Sequence, residues 1–335
     1  MLETLRKLCT LPGPSGSEDA VREYILSEVK PYADEIVEDP MGNLLVTKKG
    51  ARSPSKKLMF AAHMDEVGVI VTGITDDGYL KFDFVGGVDR RVTIGKKVYI
   101  NNHPGVIGMK AIHLMEDSER SQIPKLSAMY IDIGASGREE AEKLVSPGDT
   151  GVFDPGFVEF GSGMIKARAI DDRVGCAVML KLIKEPLPVD ATFAFTVQEE
   201  VGCRGANTAA FSVRPEIAII LEGTTAADMP SQKGTDKVCA PGKGPVIPFM
   251  DGGTVYNRAL FDKLRSLAEA NGIPWQTKTL ISGGTDAQAI QRVAGGARVA
   301  AISAAVRYIH SPACVACLED TENILRLARL FMETL

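Results

Sequence analysis

The chemistry open to this 335-residue sequence lies in acids and histidines that follow apolar runs. They are His63 and Asp65 in LMFAAHMDEVG, Asp171 in KARAIDDRVG, Glu199 and Glu200 in FAFTVQEEVG, Glu222 in IAIILEGT, and His310 in VRYIHSP. Carboxylates and imidazoles are the ligands that hold hydrolytic zinc, cobalt or manganese. Several such ligands with a spare Glu beside one of them make the inventory for two metals, a bridging carboxylate and a base. If these positions converge in space, the chain is a metallohydrolase.

Taken singly, each has an ordinary explanation, because chains turn back into water at strand ends. Glu199-Glu200 is harder to dismiss: adjacent acids at the mouth of a buried strand repel each other, and a cation relieves that. Asp65 lies two residues from His63, so on an extended segment both face one side. A carboxylate there is placed to fix the imidazole tautomer. His103 and His113 have no clustered acids nearby and read as structural.

Three strands must position these side chains. Leu58–Ala62 is a short continuous apolar run, the pattern of a buried strand, and His63 follows it directly. Ala191–Val197 and Ile217–Leu221 are similar, with Glu199, Glu200 and Glu222 just beyond their ends. Ligands of open α/β sheets gather outside the carboxyl ends of strands, so the three ends predict one shared site. Elsewhere, LETLRKLCTL has helical periodicity up to Pro12-Gly13-Pro14. Ser15-Gly16-Ser17-Glu18 reads as a capping box opening a helix through Val29. Glu35–Val37, Asn43–Thr47, Trp275–Leu280 and Arg298–Ile302 read as strands. Arg173–Lys184, the amphipathic Asn257–Ala270 and Thr321–Thr334 read as helices.

Between about Gly68 and Phe160 the texture changes to short β-rich pieces such as VGVIVTGI, YLKFDFV and AMYIDIG, separated by Gly, Asp and Asn turns. This predicts a small all-β unit inserted into a discontinuous domain of residues 1–67 and 161–335. The expected fold class is α/β: a mixed sheet flanked by helices with an inserted all-β domain over 68–160.

Two domains also suit the length. A net charge of -5 gives no basic footprint for nucleic acid. No apolar stretch of about 20 residues could span a bilayer, and the N-terminus lacks the apolar core of a secretory signal. The expected location is the cytoplasm. The six cysteines are dispersed; Cys314 and Cys317 have redox or zinc spacing, but no second pair accompanies them, and reduced thiols are expected.

Six segments together resemble the M42 family of metallo-aminopeptidases, the tetrahedral and deblocking aminopeptidases, some of which were once described as cellulases or endoglucanases. They are Pro14-Ser15-Gly16-Ser17-Glu18, Ala62-His63-Met64-Asp65-Glu66-Val67-Gly68, Ala169-Ile170-Asp171-Asp172-Arg173, Gln198-Glu199-Glu200-Val201-Gly202, Ser282-Gly283-Gly284-Thr285-Asp286-Ala287 and Arg307-Tyr308-Ile309-His310-Ser311-Pro312. They run in family order over nearly the whole chain. The resemblance implies a zinc-peptidase-like catalytic domain holding two divalent ions, zinc or cobalt foremost and manganese next. It implies that Asp171 bridges the ions, with His63 and Glu222 completing one site and Glu200 and His310 the other. Glu199 would be the base that activates water, and Asp65 would orient His63. It further implies a cis Asp171-Asp172 bond. Many relatives have Asp where this chain has Glu222. The 68–160 insert would be a β-barrel-like dimerisation domain, with dimers assembling into a tetrahedral dodecamer that admits short peptides. Gly283–Ala287 either lines the substrate pocket or is a turn into a helix capped by Thr285 or Asp286. A deacylase of acyl-amino acids would use similar ligands. An endoglucanase needs two carboxylates and usually no metal, which leaves His63 and His310 without a purpose.

Overall fold

Leu5, Leu8 and Cys9 bury one face of the first helix, α1 (Leu2–Thr10). The computed structural model describes residues 1–335, the side chains of Glu119 and Thr235 excepted. Helix α2 (Asp19–Val29) follows, burying Val21, Ile25 and Val29. Its start differs from the expected capping box. Glu18 is the N-cap but makes no side-chain cap bond; its Oε1 accepts from the Gly16 amide at 2.8 Å and the Gln198 amide at 3.1 Å. The Ser15 hydroxyl donates to Asp65 at 2.5 Å. Both capping groups are claimed by tertiary partners that local spacing does not reveal.

Strands β1 (Glu35–Glu38), β2 (Leu44–Lys48) and β3 (Leu58–His63) come next. They lead into β4 (Gly68–Ile74), β5 (Leu80–Val85), β6 (Lys97–Ile100), β7 (His103–Met109), the short helix α3 (Asp117–Arg120), β8 (Met129–Asp132), the short helix α4 (Arg138–Ala141) and β9 (Thr150–Phe153). The chain continues through β10 (Val158–Phe160), β11 (Met164–Ala167), α5 (Ile170–Lys184), β12 (Ala191–Thr196), α6 (Arg204–Val213) and β13 (Ile217–Thr225). Helices α7 (Arg258–Ala270) and α8 (Ala287–Ile290), strands β14 (Arg298–Val306) and β15 (Cys314–Cys317), and α9 (Leu318–Glu333) complete it.

The main sheet has the order β1-β2-β12-β3-β13-β14. β12, β3, β13 and β14 are mutually parallel, and β2 and β1 add antiparallel to one edge. The apolar runs lack alternation because both faces of the sheet are covered. Along β3, Leu58, Phe60 and Ala62 join the core under α1, α2, α5 and α9, while Met59 and Ala61 join that under α6 and α8. Helix α5 is apolar almost all round because it lies between the sheet and the outer helices. The mixed sheet and its flanking helices are thus the α/β class that the alternating pattern predicts.

β13 runs past Leu221 to Thr225, because its pairing with β14 persists after its ladder with β3 stops at Ile220. Glu222 therefore sits inside a strand rather than after one. Trp275–Leu280 is not a strand either. Only Gln276 bridges to Val246, and its side-chain amide ties the segment to Ala240 and Gly244 in place of a ladder.

Strands β4-β5-β8-β7-β6-β9 close into a barrel filled by Val69, Val71, Leu80, Phe82, Val98, Ile100, Ile107 and Ile131. β10 pairs instead with β11, which pairs with β15. All six cysteines are free and buried. Among the described residues no helix is long and apolar enough to cross a membrane.

Candidate active site

The register of the parallel strands sets the site. His63 ends the central strand, its Cα opposite Thr196, so Glu199 and Glu200 in the turn after β12 lie on one side of it and Glu222 in β13 on the other. Asp171 enters from the start of α5 and is tied to β13 by the Gly223 amide, 3.0 Å from its Oδ1. Gly223 is required there, since a Cβ would come within 2.6 Å of the Asp171 carboxylate. His310 arrives from the loop after β14. The backbone beside these groups is unusual: Ala169, Gln198, Tyr308 and His310 all hold left-handed φ angles, which side chains other than glycine rarely adopt. The Asp171-Asp172 bond is cis.

Asp171 faces both histidines. Its Oδ1 lies 3.7 Å from His63 Nε2, and its Oδ2 lies 3.5 Å from His310 Nε2. Glu222 is 3.2 Å from His63 Nε2 on one side, and Glu200 is 3.2 Å from His310 Nε2 on the other. Two clusters result, His63-Asp171-Glu222 and Asp171-Glu200-His310, sharing one carboxylate. Each imidazole turns its Nδ1 to a backbone carbonyl, His63 to Asp65 at 3.1 Å and His310 to Gly87 at 3.2 Å. This is the arrangement that fixes tautomers so that Nε2 is free to bind a cation.

Asp65 does more than its spacing suggests. Its carboxylate lies 3.4 Å from His63 Nδ1 and also accepts from the amides of Glu199 and Glu200, at 3.0 and 3.1 Å. It therefore sets the turn that carries both glutamates. Glu66 next to it forms a buried ion-pair network, 2.7 Å from Arg168 Nε and 3.2 Å from Arg173 Nη2. Arg173 in turn donates to the Met64 carbonyl at 2.8 Å. This network locks the loop that directly follows His63 to the start of α5, which carries Asp171.

A third group stands behind Glu199. Cys203 donates its thiol proton to Glu199 Oε1 at 3.3 Å, and Gln288 donates to the Cys203 sulfur at 3.0 Å. The buried Asp286 accepts from the Thr196 hydroxyl at 2.5 Å. The sequence reading missed Cys203. It placed Asp286 in a pocket-lining segment or as one of two candidate helix caps; of the two, Thr285 caps the Ala287 amide, while Asp286 is the N-cap residue of α8 but makes no side-chain cap bond. Membership in the SGGTDA segment and the four-residue spacing from Glu199 were the available signals. His103 and His113 lie away from these clusters, in the barrel and its loop.

The donor set fits hard or borderline divalent cations: oxygen and imidazole nitrogen, with Glu222 Oε2 buried and without a partner. Without a cation, the acids and histidines share protons. Burial pushes Glu199 up to about 8 and Glu200 to about 7, and neighbouring carboxylates add to both. Burial opposes the charge on His310, but Asp171 and Glu200 outweigh it and raise its pKa to about 9. Burial likewise raises Asp286 to about 6. Each of these lies above its ordinary value, so the fold holds protons that the unfolded chain releases. Linkage then makes the cation-free protein most stable near pH 5 and progressively less so as pH climbs toward 9. Asp65 and Asp171 are shifted downward, and their linkage falls below about pH 4, outside this window. Thermal melts with chelator should show a Tm several degrees lower at pH 8.5 than at pH 5.5, and a saturating divalent cation should abolish the difference. A flat or rising chelated profile would contradict the clustering of protonated acids.

The two clusters open onto a cavity of about 200 Å³ lined by Thr224, Pro248, Asp251, Tyr256, Lys278 and Gly283–Thr285 among others. The segment from Gly283 to Thr285 thus lines the cavity and also leads into α8.

Residues 42–327 match the family described as M42 glutamyl aminopeptidase. The chain belongs to the M42 peptidase family. A putative aminopeptidase of Acetivibrio thermocellus is 44% identical over 98% of this chain and 97% of its own. The lysyl aminopeptidase of Pyrococcus furiosus is 33% identical over 99% of this chain and 97% of its own. A solved structure of the Pyrococcus horikoshii TET1 peptidase, which assembles into a tetrahedron or a large octahedral shell, superposes with a TM-score of 0.87 at 35% identity, covering 100% of this chain and 99% of that one. The M42 chain described here is accordingly a peptidase of aminopeptidase type, with the fold of the TET enzymes.

Proposed function

We propose that the protein removes N-terminal residues from short peptides with two divalent cations, zinc or cobalt foremost and manganese next. The observation that carries this is Asp171, whose two oxygens face different histidines, each with its own second carboxylate. Asp171 would be shared, His63 and Glu222 would complete one cation's ligands, and Glu200 and His310 the other's. The longer arm of Glu222 reaches His63 Nε2 from inside β13, where its backbone lies opposite Ser303.

Cations held there would lower the pKa of a water and polarise the scissile carbonyl. Glu199 lies outside the two clusters that share Asp171, grouping instead with Cys203 and Asp286, and lines the cavity. It takes the proton from the attacking water and delivers it to the leaving amine nitrogen, and its burial favours the protonated form that the second step needs. Asp65 orients His63 and, through two amides, Glu199 and Glu200. The carboxylates around the cavity suit a free α-ammonium, which limits cleavage to the first residue.

The insert of residues 68–160, whose strands β4 to β9 form the barrel, is proposed as a dimerisation domain, and the chain as a homo-oligomer built from such dimers, up to a tetrahedral dodecamer. Exposed Val106 on β7, with Ile112, Leu114 and Ile123 in the loop after it, supports an interface there. A cytoplasmic location is proposed on the six unpaired thiols.

Aminoacyl chromogenic substrates, N-blocked peptides and carboxymethyl cellulose, assayed before and after chelation, test the reading. Cleavage confined to free-amine substrates, lost on chelation and restored by zinc, cobalt or manganese, is the expected result. Cellulose cleavage that survives chelation would overturn it.

A further inference from the structure

Cys203 neither caps a helix nor lines the cavity, yet it is buried and held from several directions. It is the N-cap residue of α6 but makes no side-chain cap bond, where a Ser, Thr, Asp or Asn would turn an oxygen to the helix. Its φ of 53° is left-handed, a conformation costly for a residue with a Cβ and kept where the surroundings impose it. Those surroundings are Glu199 at both ends. The Cys203 amide donates to the Glu199 carbonyl at 2.9 Å, and the thiol donates to Glu199 Oε1 at 3.3 Å. Burial, with Asp286 and Glu199 close by, pushes the thiol pKa up and keeps the group protonated as a donor. Behind the sulfur stands Gln288, whose Nε2 donates to it at 3.0 Å. Gln288 is itself hemmed in: a side chain at Gly253 would run into its Oε1, and one at Gly284 would stop 3.0 Å from its Nε2. A buried cysteine usually acts as a small apolar residue. One that accepts from an amide and donates to a carboxylate is placed to aim that carboxylate.

We propose that Cys203, aimed by Gln288, is the positioning residue for Glu199. The inference rests on the reading of Glu199 as the base. The thiol holds Oε1 and keeps its own proton throughout, so Oε2 is the oxygen left for the proton of the water. With Oε1 released, the flexible glutamate arm samples other rotamers, and a reacting group displaced by about 1 Å can cost on the order of 100-fold in rate. Neither Cys203 nor Gln288 lines the cavity or belongs to the two clusters that share Asp171. The effect of losing them therefore falls on kcat, with KM and the cations untouched. Cys203 does group with Glu199 and Asp286 closely enough for a cation to bridge them. Here, however, the thiol proton lies between sulfur and carboxylate, where that cation would have to sit.

The test measures kcat, KM and bound cation of the cobalt-loaded full chain on an aminoacyl p-nitroanilide that the wild type cleaves. Cys203→Ala should lower kcat by roughly 10- to 100-fold, with the KM and the cation content of the wild type. Cys203→Ser keeps a donor and should recover most of that loss. Gln288→Leu leaves the thiol without its guide and should cost roughly 3- to 10-fold, the effect of one hydrogen bond. A double-mutant cycle decides. In Glu199→Gln, adding Cys203→Ala should cost nothing further, whereas general damage to the site would cost the same again. Additive losses overturn the proposal, as does Cys203→Ala at the kcat of the wild type. So does a thiolate-to-cobalt charge-transfer band in the wild type that Cys203→Ala removes, since Cys203 would then be a ligand. If Cys203→Ala fails to fold, Gln288→Leu in the same cycle decides. A Glu199→Gln enzyme within about tenfold of wild type sinks the base assignment and this inference with it. A crippled Glu199→Gln beside an unaffected Cys203→Ala sinks this inference alone.

Discussion

Replacing Glu199 with Gln should lower kcat by about 10²- to 10⁴-fold, the range for loss of a positioned general base, while leaving the bound cations in place. The amide has the shape of the carboxylate and keeps an oxygen to accept from Cys203, whose thiol makes the hydrogen bond to this side chain. It cannot take a proton. Glu200→Gln should behave differently, because Glu200 faces His310 at 3.2 Å and belongs to one of the two ligand clusters; that variant should lose a cation as well as activity. Metal analysis beside steady-state kinetics separates them. A Glu199→Gln enzyme within tenfold of wild type would remove Glu199 as the base, and one that loses a cation would make it a ligand.

The division proposed for these two neighbouring acids was only half legible in the sequence. Strands β3, β12 and β13 could be read from their unbroken apolar runs, because burial on both faces of a parallel sheet leaves no alternation to confuse. The convergence of His63, Glu199, Glu200 and Glu222 followed from where those runs stop. What spacing could not show were contacts between segments far apart in the chain. Ser15 is taken by Asp65, and Glu18 reaches Gln198, so a local capping signal failed against tertiary partners. The carboxylate of Asp65 holds the amides of Glu199 and Glu200, some 134 residues away, a role invisible in a His-x-Asp spacing. β13 overran its expected end because a neighbouring strand, not its own residues, sets its length. Lys278 lay in a stretch read as a strand, where a lone lysine is an ordinary solvent-facing residue; only the irregular path of 275–280 turns it into the cavity.

Asp171→Asn should abolish activity and cation binding together, since this is the one carboxylate common to both clusters. The substitution is mild for the fold. An Asn side chain keeps an oxygen for the Gly223 amide, 3.0 Å away in the wild type, and adds no atom in a place where Gly223 already leaves no room for a Cβ. What it removes is the negative charge that lies between His63 and His310. Cation binding stabilises a fold in proportion to the logarithm of concentration over Kd, so the two proteins should separate most clearly in thermal melts. Zinc, cobalt or manganese should raise the Tm of the wild type and leave that of Asp171→Asn near its chelated value. Replacing a ligand of one cluster alone, as in Glu222→Gln or Glu200→Gln, should cost part of that increment, because Asp171 with a histidine remains at each end. The order of loss, partial for either flanking acid and complete for the shared one, is what a single bridging carboxylate requires. An Asp171→Asn protein that still binds two cations would mean that the clusters are independent, and the shared-carboxylate reading would fall.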